Sequence, residues 1–351
     1  MALASALFIL LLVVVALFAK QIVELVGAHP PNEQSTKYLD EFGSAAAPSF
    51  SKHLYFGTDG LGRDVFSRTV YGAQVSLKVA FISTGITVVI GTLLGILAGY
   101  YRGAWDATLS RIMDLMLAFP VFLLALGLGA ACQISACEVK GKTAGSFVGV
   151  VGAVVLIGVA ISLLAARRRP ARIAFADVRN RVWLPALLVV AGLGLFALLG
   201  SRTVAQISPG LPLVIFVIVI PGWPYMARII RGQTLSLREK EFVEAARSVG
   251  ASDTRIMLRH ILPNLVAPII VYTTLLIPTN VLFEAALSFL GIGVEPPTAS
   301  WGAMLSDATD TFDTAWWFMT FPGIALLLTV LAFNLVGDGL QDAINPKTSG
   351  R

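Results

Sequence analysis

The residue types that most often carry chemistry are sparse in this sequence and widely spaced. Ala136 to Thr143 reads Ala-Cys-Glu-Val-Lys-Gly-Lys-Thr, a relaxed form of the loop whose backbone N–H groups and lysine cradle a nucleotide's phosphates. No strand pattern leads into it and it falls between two apolar runs, so nucleotide binding is not expected there. Cys132 and Cys137, the two cysteines, share that segment. In an oxidising compartment they form a disulfide across a short loop; otherwise they are two free thiols. Two thiols without a nearby histidine make a poor zinc site. His29, His53 and His260 are too scattered for a metal cluster or a Ser-His-Asp arrangement, so neither a catalytic residue nor a metal site is expected.

Three polar residues interrupt long apolar runs: Glu284, Asn280 and Asn334. A carboxylate in a membrane span is costly and marks a functional site by default. Glu284 stands near the end of its run, however, which favours a place at the outer interface or a hydrogen bond to a neighbouring helix. Asn280 and Asn334 are candidates for the same two roles, lining a pathway or packing. The richest pattern lies in residues 228–263, a polar and basic stretch with Glu239, Glu241 and Glu244 among Arg238, Lys240 and Arg247. There Ala245 and Ala246 offer a close-approach surface, Gly250 suits a helix stop, Ser252 or Asp253 can cap the next helix, and Pro263 ends it. The expectation is a helix-turn-helix, the kind of rigid projection a soluble partner can grip.

The elements that position these residues are dictated by composition. Of 351 residues 56% are hydrophobic and 13% charged, against about a quarter charged in soluble domains. That excludes a cytosolic enzyme, a disordered chain and a disulfide scaffold. Eight apolar runs approach the roughly 20 residues that cross a hydrocarbon core: Ala2 to Ala19, Ala80 to Gly99, Ile112 to Ala131, Ser146 to Ala166, Trp183 to Gly200, Leu211 to Ala227, Leu265 to Leu290 and Trp316 to Gly337. They lack the alternation of barrel strands and must satisfy their backbone internally, so the fold class is all-α, a polytopic helical bundle. The first run has no basic residue before it and no small-residue cleavage pattern after it, which favours an uncleaved helix over a signal peptide.

With the N-terminus cytoplasmic, inner segments carry 17 of the 26 Lys and Arg residues, which sets both termini inside although Lys20 locally favours the reverse. The net charge of +5 therefore reports basic inner loops, and nucleic acid is not an expected partner. Gly91, Gly95 and Gly99 recur every four residues and suit close helix packing. Pro120, Pro221, Pro224, Pro268 and Pro278 lie in or beside spans, where they can kink a helix.

Glu244-Ala245-Ala246, Gly250 and Leu262-Pro263 resemble the EAA motif of ABC importer permeases, with His260 where that family most often has isoleucine. The flanks are similar to the C-type permease of dipeptide and oligopeptide importers (DppC/OppC): residues 56–68, Phe-Gly-Thr-Asp-Gly-Leu-Gly-Arg-Asp-Val-Phe-Ser-Arg; Glu284 to Gly291; Pro296-Pro297; Ser300-Trp301-Gly302; and Phe333 to Leu340. The resemblance covers the first helix, residues 53–131 and residues 211–346. It divides the chain into a first helix (1–20), an extracytoplasmic segment (21–79), core helices (80–131), an inserted two-helix hairpin (132–210), further core helices around the loop 228–263, and a tail (347–351).

The resemblance implies a bacterial inner-membrane subunit that catalyses nothing and binds no cofactor. It supplies half a pathway for peptides beside a B-type permease. Its partners are two cytoplasmic ATPases that bind ATP and Mg, an extracytoplasmic binding protein, the peptide and membrane lipid. Glu244, Ala245, Ala246, Arg247, Gly250, Leu262 and Pro263 are then the ATPase-coupling residues. Nickel chelates, glutathione or a sugar-like solute remain alternative cargoes. An ion-driven transporter using Glu284 or Asp114 is the alternative from another class.

Overall fold

The computed structural model describes residues 1–101, 103–118, 120–134, 137–140, 203–207 and 210–344, with the backbone alone for 104, 128–134, 137–140 and 203–207. Helices dominate them. In chain order they are α1 (Ala2–Leu17), α2 (Ala19–Val26), α3 (Val65–Tyr100), α4 (Ala104–Ala118), α5 (Val121–Ile134), α6 (Leu211–Arg238), α7 (Glu241–Ser248), α8 (Asp253–Phe289), α9 (Trp301–Ala308) and α10 (Trp316–Ile344). Strands β1 (Cys137–Lys140) and β2 (Thr203–Ile207) pair antiparallel, a small departure from the all-helical expectation.

Among the described residues four helices are long and apolar enough to cross a membrane: α3, α6, α8 and α10. Two bent pairs, α1 with α2 and α4 with α5, bring the number to six if each is one span. The expected spans 146–166 and 183–200, the arginines between them and the tail 347–351 lie outside the described residues, so eight spans are not established. Two expected spans are broken. The run Ala2 to Ala19 ends at Leu17 and turns by 81° into α2, whose Ala19 and Val23 are buried while Lys20 and Glu24 pair on the outside. The run Ile112 to Ala131 divides between Ala118 and Val121, at Pro120, whose ring and missing N–H disfavour continuation.

The chain folds as two compact units, three of whose boundaries fall within long helices. One comprises Met1–Gly85, Pro209–Ile218 and Ile270–Arg351; the other comprises Ile86–Ser208 and Val219–Ile269.

In the first unit the 56–68 motif is a set of turns that starts α3. Asp59 accepts from the backbone N–H groups of Leu61 and Arg63, both at 2.9 Å, and from Arg63 Nε at 2.5 Å. Gly62 has φ +71°, and a Cβ there would strike the Ser35 carbonyl. Asp64 caps α3, accepting from Phe66 N–H (3.0 Å) and Ser67 Oγ (2.9 Å), and also from His29 N–H (3.2 Å). Burial pushes the Asp64 carboxyl up from the usual aspartate range, while these hydrogen bonds pull it back. Arg68 is buried and donates to the carbonyls of Pro31 and Pro297. The segment expected merely to precede the core is thus an ordered cap. It carries α3 fifteen residues upstream of the expected apolar start at Ala80.

The same unit explains two further motif segments through α9. Ser300 caps it, accepting from Ala303 N–H at 3.2 Å. Trp301 is fully buried, lies against Gly72 and donates to the Thr69 carbonyl at 2.9 Å. Gly302 lies so close to the Ala285 backbone that a Cβ would overlap it. Glu284 has no exposed surface and accepts from Ser76 Oγ (2.6 Å) and Ser288 Oγ (2.8 Å). The helix-to-helix hydrogen bond weighed for Glu284 is the geometry observed. Asn280 is buried and donates to Thr84 Oγ1 at 2.8 Å, whereas Asn334 is exposed on α10.

In the second unit the three glycines of α3 meet α6. A Cβ on Gly91 would approach Met226 Cβ to 2.6 Å, one on Gly95 the Ala227 carbonyl to 2.7 Å, and one on Gly99 Thr234 Cβ to 2.6 Å. Close backbone packing, the expected role, is what the stripe does. Cys137 to Lys140, inside the phosphate-loop-like stretch, spend their backbone on the ladder with β2. Residues 136 and 141–143 of that stretch, and the side chains of Cys132 and Cys137, lie outside the described residues.

Candidate coupling site

The basic stretch 228–263 is built of three elements, and its first part differs from expectation. α6 does not end at Ala227 but runs eleven residues further to Arg238. Its cationic extension is paired with α4: Arg231 grips Asp106 through two hydrogen bonds (2.5 and 3.1 Å), and Arg228 meets Asp114 at 2.6 Å. Asp106, Ser110 and Asp114 recur every four residues and so share one face of α4. The Arg228–Asp114 pair is half exposed and contributes little on its own, about 0–1 kcal/mol.

α7 carries the motif residues. Val243 and Ala246 are buried, while Glu244, Ala245, Arg247 and Ser248 face outward. Ala245 and Ala246 therefore do not form one surface: Ala245 is exposed, and Ala246 is buried within this chain. This follows from the 100° step between successive helix positions. The helix stops as expected. Gly250 takes φ +81°, Gly250 N–H donates to the Arg247 carbonyl (3.0 Å) and Ala251 N–H to the Ala246 carbonyl (3.1 Å), the two bonds of a Schellman motif. Beside this stop the apolar side chains of Val249 and Leu258 stand exposed.

α8 begins at Asp253 with Ser252 in the capping position, although the Ser252 side chain makes no capping hydrogen bond. Pro263 was expected to end this helix, and it does not: α8 continues through Leu262 and Pro263 to Phe289. The backbone instead widens to a π turn at Met257–Ile261. Pro263 has no N–H for the carbonyl four residues earlier, so the normal ladder must open there. One residue on from the Arg259 carbonyl that Pro263 cannot serve, Asn264 donates its side-chain amide to the His260 carbonyl at 2.7 Å. Leu262 is half-buried and Pro263 exposed.

Sequence reasoning missed the residue at the centre of this region. Tyr100, the last residue of α3, is buried and donates its hydroxyl to Asp253 Oδ1 at 2.6 Å. Arg238 donates to the Tyr100 carbonyl at 2.6 Å and lies over its ring at 5.7 Å. The Arg247 guanidinium interacts with the Tyr100 side chain. That contact, with Asp253 and Glu244 nearby, raises the already high guanidinium value and keeps it charged. At the end of the apolar run Ala80 to Gly99, Tyr100 reads as an ordinary interfacial aromatic. Only the acid and base six residues apart, Arg247 and Asp253, hinted that something bridges the turn.

Among the described residues the region is an outward-facing helix whose following turn is held by the Tyr100–Asp253 hydrogen bond between α3 and the start of α8. Residues 91–350 match the family described as binding-protein-dependent transport system inner membrane component. The glutathione transport system permease protein GsiD of Escherichia coli O6:K15:H31 (strain 536 / UPEC) is 38% identical over 350 residues, covering 100% of this chain and 88% of that protein. The proteins of the same name from Shigella boydii serotype 4 (strain Sb227) and Shigella sonnei (strain Ss046) match with the same identity and coverage.

Proposed function

From the premise that this chain belongs to the binding-protein-dependent transport system inner membrane components, as a C-type permease of ABC importers, we propose that it forms half the translocation pathway for short peptides. The observation that carries this reading is α7, a helix fixed by its own glycine stop that turns Glu244, Ala245 and Arg247 outward. In this reading α7 seats in a groove of a cytoplasmic ATPase. Two ATPases bind ATP and Mg, and their closure moves α7 and, with it, the start of α8. A B-type permease completes the pathway, and a binding protein delivers cargo from outside. The membrane is the bacterial inner membrane, with both termini cytoplasmic as the basic residues favour.

The relatives, glutathione permeases by name, favour one cargo within the peptide class, glutathione, itself a tripeptide. The ladder of β1 with β2 supports the reading of 132–210 as an insertion with an even number of crossings. Lys140 and Thr203 pair directly, so whatever lies between leaves and returns at one place. The deciding experiment is to purify the chain with its copurifying subunits, place the assembly in liposomes, and measure ATP-dependent uptake of labelled glutathione and of a labelled dipeptide. ATPase subunits in the complex and uptake of either compound are expected. A protein that transports without ATPases, driven by an ion gradient, would overturn the proposal.

A further inference from the structure

We propose that Tyr100 is a positioning residue of the coupling region, setting the angle between α7 and α8 through its single hydroxyl. This deepens the reading of α7 as the ATPase-docking helix and rests on it. A phenol oxygen can donate one hydrogen bond and accept others, and at Tyr100 the two sides of one turn meet this one group. It donates to Asp253, the first residue of α8, at 2.6 Å, and the Arg247 guanidinium in the last turn of α7 interacts electrostatically with it. The two partners flank the Gly250 turn, whose positive φ fixes the path of the backbone but leaves the helices joined by only Val249 to Ser252. The hydroxyl closes that turn with a second link.

Tyr100 is itself immobilised. Its carbonyl, at the negative end of α3, takes the Arg238 guanidinium at 2.6 Å. Its ring lies under the same guanidinium, and one residue earlier the Gly99 position abuts Thr234 of α6. Because α3 and α6 approach so closely there, the phenol has no room to follow a displaced α7. Force applied to α7 is therefore borne by Asp253 and α8 rather than absorbed by opening of the turn. Where the outward residues of α7 provide grip, Tyr100 provides stiffness.

The test is Tyr100→Phe, which keeps the ring, its burial and its contact with Arg238 and deletes one oxygen. The complete complex in liposomes is assayed for glutathione or dipeptide uptake and for ATP hydrolysis in the same vesicles. Molecules imported per ATP should fall about tenfold, within the range typical of coupling between sites. Asp253→Asn should lower the ratio in the same direction, and the double variant should be no worse than the more severe single variant, since both remove one link. An unchanged ratio in Tyr100→Phe overturns the proposal. So does a loss of assembled complex with a normal ratio in what remains, which is the mark of a merely structural role. If the wild-type chain copurifies with no ATPase, the docking reading itself fails, a result distinct from either.

Discussion

Replacing Glu284 separates a packing carboxylate from a working one. Its oxygens accept hydrogen bonds from the Ser76 and Ser288 hydroxyls in a site with no exposed surface. Glu284→Leu removes both acceptor contacts. A side-chain hydrogen bond between membrane helices is worth about 0.6 kcal/mol on average and at most about 1.7. The orphaned serines recover part of the loss by turning to the carbonyl one turn back. Two such bonds put the cost at about 1 kcal/mol, or roughly 1–2 °C in the unfolding midpoint of a chain this long. Glu284→Gln keeps one oxygen acceptor and adds an amide that can donate to a serine oxygen, so it should cost about 0.5 kcal/mol or less. Tryptophan fluorescence during heating in detergent reports both midpoints. Adding Ser76→Ala to each background should show a coupling of about 0.6 kcal/mol with Glu and almost none with Leu. If Gln proves as damaging as Leu, or stops uptake while melting normally, the negative charge is in use and the packing account is wrong.

Three further outcomes follow from the geometry. Gly95→Val drives a branched side chain into the Ala227 carbonyl and should abolish the stable fold in detergent, by 3 kcal/mol or more, whereas Gly85→Ala, with open space around it, should be neutral or stabilising by about 0.5 kcal/mol; size-exclusion profiles after heating distinguish them. Gly250→Ala forces an L-residue to φ +81° at a cost of about 1–2 kcal/mol, and hydrogen exchange across 241–252 should quicken while the exchange of α3 stays as it was. Asp64 carries a raised carboxyl value, so the folded chain holds its proton more tightly than the unfolded chain. Its contribution is complete below the unfolded value near 4 and is lost as pH rises through the folded value. The wild-type midpoint should therefore gain on that of Asp64→Asn as pH is lowered from 7 towards the unfolded value near 4, and a gap that narrows instead refutes the assignment.

Much of this was legible because membrane spans and glycine stops are written in single residues. Gly91, Gly95 and Gly99 announce a close helix contact, Gly250 announces a turn, and both are found where the spacing puts them. What escaped was anything set by a partner distant in the chain. The upstream part of α3 is held by partners far along the chain: Ser76 finds its acceptor at Glu284, and the Thr69 carbonyl takes the Trp301 N–H. The extension of α6 past Ala227 depends on Asp106 and Asp114, more than a hundred residues away. Pro263 misled because a local rule, that proline ends a helix, gave way to a π turn and one asparagine side chain. Ala246 was read with Ala245 because adjacency in sequence resembles adjacency in space, which a helix denies. Tyr100 was invisible for the first of these reasons: its partners are Arg238, Arg247 and Asp253.

The pairing of β1 with β2 bears on how the chain can be edited. A backbone ladder that holds Val139 opposite Ala205 and Lys140 opposite Thr203 makes the distance between those two points independent of what is strung between them. Closing a loop costs only about 0.6 kcal/mol more for each doubling of its length, so the stretch 141–202 is a graft point, where a reporter domain, an affinity tag or a two-residue Asn-Gly turn can be exchanged for the native segment. Such grafts also turn an open question into a subtraction: whatever transport, assembly or lipid preference vanishes with the native segment belonged to it, and whatever survives belongs to the helices on either side.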